Sequence, residues 1–226
     1  MVVLLVLVLL GGGLYLGDRY AEQRAERATA AQLQAQLGTP GAPAVDIQGR
    51  PFLTQVVARS IGTVRIVVDD VPPTEDGALP LAHADLVLTD VTSSDWFATM
   101  TIGHAEGSAR IDYPALQAVA GGPLSYVGNG RVQRTSTTTI VGREVEVKIT
   151  GRPELDTEAQ TISLGDPEIT VAGVELSGFT ADALRRALLD PIPVTGVPLG
   201  LRLSSIDPQD GGLFAGVVGD GIALTR

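Results

Sequence analysis

His83 and His104 are the two histidines of the chain, and each stands alone in a strand-like segment with no ligand or nucleophile at a useful spacing. A histidine does acid–base or metal work only when a partner orients its ring or shares its ion. A surface role or a satisfied core role is therefore expected for both. No G-x-S-x-G elbow and no H-E-x-x-H pair occurs, so the local marks of an α/β-hydrolase nucleophile and of a zinc protease are missing. Asp207-Pro208-Gln209-Asp210-Gly211-Gly212 lacks the D-x-D-x-D-G spacing and the distal Glu of a calcium loop and reads as a turn. The glycine-rich tail from Gly211 to Gly221 has no Lys and no following helix, so it is no phosphate loop. Asp69-Asp70, Asp85, Asp90 and Asp95 fit strand ends and turns. With no Cys in the chain, disulfides, thiolate metal sites and a cysteine nucleophile are excluded. No catalytic residue, metal ligand or cofactor is assigned, and the chain is expected not to be an enzyme.

The elements that would position any site are mostly strands. Val64, Ile66 and Val68 alternate with Arg65 and Asp69, and Leu86 and Leu88 with Asp85 and Thr89. Val145, Val147 and Ile149 alternate with Glu144, Glu146 and Lys148, and Leu199, Leu201 and Leu203 with Gly200, Arg202 and Ser204. Strict alternation gives each strand one apolar and one wet face, which antiparallel sheets tolerate and parallel ones seldom do. Asn129-Gly130 and Asp207 to Gly212 are expected hairpin turns. Three short helices are expected among the strands. Pro51 to Ser60 places Phe52, Val56 and Val57 on one face. A helix after Asp112, with Pro114 in its first turn, places Leu116 and Val119 inward. A third, capped by Thr180 and ended by Pro191, presents Ala181, Leu184, Leu188 and Leu189.

Ahead of the strands lies one uncharged run, Val2 to Gly17, followed by the polar stretch Asp18 to Leu37. As a helix the run rises about 24 Å at about 1.5 Å per residue, somewhat short of the ~20 residues of a bilayer span and long for a signal-peptide core. No Cys follows it, so a lipoprotein anchor is excluded. We read it as a signal-anchor ahead of a cleaved signal peptide or a core helix, with a basic leader upstream of Met1. Asp18 to Leu37 reads as a helical stalk rich in Ala, Gln, Glu and Arg, stopped by Gly38 and followed by the linker Thr39 to Pro43. The expected organisation is a transmembrane signal-anchor at 1–17, a stalk and linker at 18–43 and one folded domain at 44–226. Net charge is −10 over 226 residues, with no basic patch, so nucleic acid is not an expected partner.

The order of these pieces resembles a known family. An apolar anchor precedes Asp18-Arg19-x-Ala21-Glu22-Gln23-Arg24-Ala25-Glu26. Ile47-x-Gly49-x-Pro51-Phe52-Leu53-Thr54-Gln55 comes next, then a strand after Gly62 and Ile111-Asp112-Tyr113-x-x-Leu116. The Leu184 helix and the Leu199-x-Leu201 hairpin close the chain. Over roughly residues 18–226 the chain resembles the actinobacterial LmeA-like phospholipid-binding family, which is similar to tubular lipid-binding proteins; the PFLTQ stretch is its strongest motif. The resemblance implies an α+β fold, a long curved antiparallel sheet wrapped around short helices, preceded here by the N-terminal membrane helix. It also implies phospholipid binding in an apolar tunnel, phosphatidylinositol being one candidate, outside the plasma membrane. In that arrangement the lipid-lining residues are Phe52, Leu53, Val56, Val57, Leu116, Val119, Leu184, Leu188 and Leu189. Arg19, Arg24 and Arg27 follow the apolar run and, counted alone, point the domain to the cytoplasm; the resemblance points it to the periplasmic side. The expected function is a membrane-anchored envelope protein that holds or transfers lipid. The alternatives are an envelope structural or protein-interaction module, and a hydrolase with scattered catalytic residues.

Overall fold

A computed structural model describes residues 2–73, 79–94, 99–120, 122–140, 143–171, 174–175, 191–194, 197 and 200–225. In chain order the elements are α1 (Val2–Leu37), β1 (Ala44–Gln48), α2 (Phe52–Ala58), β2 (Ser60–Val71), β3 (Leu81–Ser93), β4 (Thr99–Ile111), α3 (Tyr113–Ala120), β5 (Leu124–Gly128), β6 (Arg131–Ile140), β7 (Arg143–Asp156), β8 (Thr161–Val171), β9 (Val174–Glu175), β10 (Ile192–Pro193), β11 (Arg202–Gln209) and β12 (Gly212–Thr225). The fold is α+β, mostly antiparallel sheet with a few helices. One sheet runs β1-β2-β3-β4-β12-β11 and the other β10-β8-β7-β6-β5, with β9 on β8.

The chain divides into two compact units. One holds residues 1–71, 84–107 and 218–226; the other holds 72–83 and 108–217. In the first, β1 pairs with β2 antiparallel, from Ala44 opposite Val67 to Gln48 opposite Thr63. Its buried apolar side chains are Ile47, Phe52, Val64, Val68, Ala84, Leu88, Val91, Ile102, Ala105 and Ile222. The alternation expected from Val64 and Val68 is thus present. Asp90 holds φ at 55° within β3, and a Cβ on Gly103 of β4 would come within 2.8 Å of the Asp90 Cβ. The missing side chain leaves room for that irregularity, as at a bulge.

In the second unit β6, β7 and β8 form a ladder in which Val147 faces Val171 and Ile149 faces Ile169. Val147, Ile149 and Ile169 form its buried cluster, with Leu164 and Val171 packed against them. Glu144 and Glu146 point to water, as period two requires. The Asn129-Gly130 turn has both residues at positive φ, 54° and 69°, the conformation that a two-residue hairpin loop demands. The hairpin expected at Asp207 to Gly212 forms, but its turn is only Asp210-Gly211, because Asp207 to Gln209 extend β11 and Gly212 begins β12.

The polar stretch continues the apolar run as one helix, as expected: α1 runs from Val2 to Leu37. Among the described residues no helix is long and apolar enough to cross a membrane, so the expected N-terminal membrane helix gains no support from the fold. Nor is the segment 18–37 a bare stalk. It packs against β1 and α2, and Asp18 and Glu22 are buried at 6% and 5% exposure.

Candidate functional site: the docked helix α2 and its carboxylate anchor

The PFLTQ stretch begins α2. Nothing on Pro51 caps it; the cap comes from 34 residues away. Asp18 Oδ2 accepts the Phe52 N–H at 2.9 Å and Asp18 Oδ1 accepts the Leu53 N–H at 2.7 Å. Two backbone donors that a helix start leaves without partners are thereby satisfied by one buried carboxylate. Two turns further along α1, Glu26 Oε1 accepts the Ile47 N–H of β1 at 3.0 Å. Between them, Glu22 accepts from Arg19 at 3.1 Å. Carboxylates at i, i+4 and i+8 share one face of a helix, and here that face docks the whole β1–α2 corner.

The rest of the motif closes the corner. Gln55 Nε2 donates to the Gly49 carbonyl at 2.8 Å, and Gln55 Oε1 accepts the Gly62 N–H at 3.1 Å. One side chain thus ties the loop before α2 to the strand after it. Gly49 sits at φ 101°, and a Cβ there would lie 2.9 Å from Gln55 Nε2, so only glycine fits. Thr54 Oγ1 donates to the Pro51 carbonyl at 2.7 Å. The helix ends at Arg59, in the left-handed conformation at φ 56°.

The expected lipid-lining residues separate on this corner. Phe52 is buried at 5% exposure, and Val56 is half-buried. Leu53 and Val57 are 44% and 73% exposed. The common apolar face expected for Phe52, Val56 and Val57 is therefore not what forms, because α2 is only seven residues long and is pinned at its first turn. In the second unit Leu116 of α3 is buried at 7%. The side chain of Val119, and all of Leu184, Leu188 and Leu189, lie outside the described residues.

His104 gains a partner that local spacing could not show. Its Nδ1 lies 2.6 Å from Asp220 Oδ1, and its Nε2 lies 4.0 Å from Glu106. The hydrogen bond to Asp220 comes first among the causes that hold this imidazole above the ordinary histidine value of 6.5. The Asp220 carboxylate at Nδ1 favours the cation, while Glu106 at 4.0 Å is too far from Nε2 for a hydrogen bond. Among the described residues no group of three or more His, Asp or Glu side chains is placed to hold a metal ion.

Sequence reasoning missed Asp18 and Glu26 because a polar helix reads as solvated. The signal was their four-residue spacing with Glu22 beside the apolar stripe of Ala21 and Ala25.

The model of the LmeA-like phospholipid-binding family matches residues 16–217. The match begins just ahead of Asp18 and takes in α2, the β7–β8 ladder and every strand up to the first part of β12. No match was found among curated proteins or among solved structures.

Proposed function

This chain belongs to the LmeA-like phospholipid-binding family, and from that membership we propose that it shelters phospholipid acyl chains at a membrane surface, without catalysis, to hold or transfer them. Lipid binding in general terms is the family's property; the tunnel, the tether and the side of the membrane are our reading. The family match over residues 16–217 carries it. In support, strand β7 buries Val147 and Ile149 on one face and exposes Glu144 and Glu146 on the other. Aliphatic side chains can desolvate acyl chains at about 0.8 kcal/mol per buried CH₂ with no directional chemistry. In the proposed arrangement the apolar faces of antiparallel sheet and short helices take up the acyl chains. The headgroup, phosphatidylinositol among the candidates, stays at the mouth. The uncharged run Val2–Gly17 tethers the protein to the plasma membrane with the domain on the periplasmic side.

Native mass spectrometry of the full chain, followed by lipid extraction, tests this. The expected spectrum carries adducts of phospholipid mass that vanish on denaturation. A chain that is lipid-free after exposure to mixed phospholipid vesicles overturns the proposal. A periplasm-dependent reporter fused to the C-terminus tests the side, and an inactive reporter places the domain in the cytoplasm.

A further inference from the structure

The first unit has an end defined by the direction of α1. Glu26 is bonded to Ile47, and Asp18 is bonded to Phe52 and Leu53. Eight helical residues span about 12 Å, so β1 climbs back along α1 towards the apolar run and delivers α2 level with Asp18. Gln48 pairs with Thr63, which puts the start of β2 at that same end. Helix α2 therefore caps the end of this unit from which Val2–Gly17 departs.

That end carries large exposed apolar side chains on two faces, one on α1 turned away from Asp18 and one on α2. Leu16 and Tyr20 of α1 are 69% and 65% exposed, and Leu53 and Val57 of α2 are 44% and 73% exposed. Four of the five large exposed hydrophobics described in the chain lie here. The charge is also atypical. In a chain of net charge −10, residues 47–68 contain Arg50, Arg59 and Arg65 and no Asp or Glu. Arg65 pairs with Asp85 and Arg59 donates to the Ser94 carbonyl at 2.8 Å; Arg50 and Arg59 flank α2 on the exposed surface.

We propose that α2, with Leu53 and Val57 foremost, seats in the interfacial layer of an anionic phospholipid bilayer, held at that depth by the Asp18 anchor on α1. The occupant is a bilayer for two reasons. The α2 patch lies level with Asp18, where an uncharged run of membrane character ends. Its two arginines complement phosphate headgroups, and a tyrosine at the junction suits the headgroup boundary. An interfacial helix of this kind sinks its apolar face about 5–10 Å. This rests on the membrane reading above and adds the surface by which lipid would enter.

The chain has no native cysteine, so single-cysteine variants report cleanly. The full chain carrying Val57→Cys or Gln36→Cys is labelled with an environment-sensitive nitrobenzoxadiazole. It is then reconstituted into vesicles of phosphatidylcholine and phosphatidylglycerol, with and without phosphatidylcholine spin-labelled high on its acyl chain. Position 36 is exposed and about 27 Å further along α1 than Asp18. Quenching of the label at 57 but not at 36 is expected, together with a blue shift at 57 only. A chain that floats with vesicles and carries lipid, yet whose label at 57 stays in water, overturns this inference and leaves the proposed function standing. A chain that does not float overturns the membrane reading and this with it. A blue shift at 57 that needs no vesicles and grows with protein concentration assigns the patch to a second copy of the chain and overturns the inference.

Discussion

His104 shows how much a single residue's behaviour depends on a distant strand. Asp220 lies 116 positions away, yet its carboxylate is 2.6 Å from the ring. The folded histidine is held above 6.5, so its contribution to stability is present below that value and fades as pH rises through the folded value. In an NMR titration the His104 midpoint is expected above that of His in Asp220→Asn; equal midpoints would remove the pairing. Tyr113 acts at the other end of the scale. Its hydroxyl donates to the Gln209 carbonyl at 2.6 Å, and burial, aided by Tyr126, Asp210 and Asp207, pushes it up to about 12. Its ordinary value is 10. An unfolded chain therefore releases this proton first, and stability falls as pH rises from about 10 to about 12. Tyr113→Phe is expected to flatten that alkaline limb in chemical denaturation curves. Asp18 matters most for the fold. Asp18→Ala leaves the buried Phe52 N–H without an acceptor, at about 1–3 kcal/mol, and frees the part-buried Leu53 N–H as well, so it should lower the denaturation midpoint without changing its slope.

At the scale of elements, α2 is the informative piece. A seven-residue helix is too short to persist alone. It exists because α1 caps it, Gln55 bridges its two ends, and Phe52 plugs the core. Phe52→Ala is expected to cost about 3–5 kcal/mol, whereas Val57→Ser, at 73% exposure, should stay within about 0.5 kcal/mol. Thermal melts of the two variants check the contrast. Comparable losses in both would mean that Val57 is packed. Gln160 performs a similar bridging in the second unit. Its amide donates to the Leu203 carbonyl at 3.0 Å and accepts the Leu203 N–H at 2.8 Å, so one side chain pairs with β11 as a strand would. Gln160→Ala should loosen that edge and raise hydrogen exchange at Leu203.

At the scale of the whole molecule, α1 belongs to the folded body. A chain beginning at residue 16 keeps Asp18, Glu22 and Glu26, while one beginning at 39 loses all three along with the face that covers β1 and α2. Carboxylate bonds of this kind contribute about 1.5–3 kcal/mol each. For a chain of this size each kcal/mol shifts the melting temperature by about 2–4 °C. The shorter chain is therefore expected to melt at least about 10 °C lower. Equal melting temperatures would return α1 to the role of a stalk.

Strand identity was legible in the sequence because period two is a property of neighbouring residues: Val147 and Ile149 against Glu146 and Lys148 announce their faces wherever the strand sits. The Asn129-Gly130 turn was legible for the same reason, since few residue pairs accept those backbone angles. The terminal hairpin was legible in place, but its turn was read as Asp207 to Gly212 because Asp207 and Pro208 look like turn residues even inside β11. The family was legible too, through short motifs such as PFLTQ, now explained by Phe52 in the core and Gln55 across the corner. Partners distant in the chain were not. Nothing local says that Asp18 will cap a helix 34 residues on, that Asp220 will reach His104, or that Val57 will face outward while Phe52 turns in. Those outcomes depend on which strand pairs with which and on the side from which α1 approaches. Pairing and docking are collective choices of the packed chain, made to bury its apolar faces and to satisfy its buried donors together.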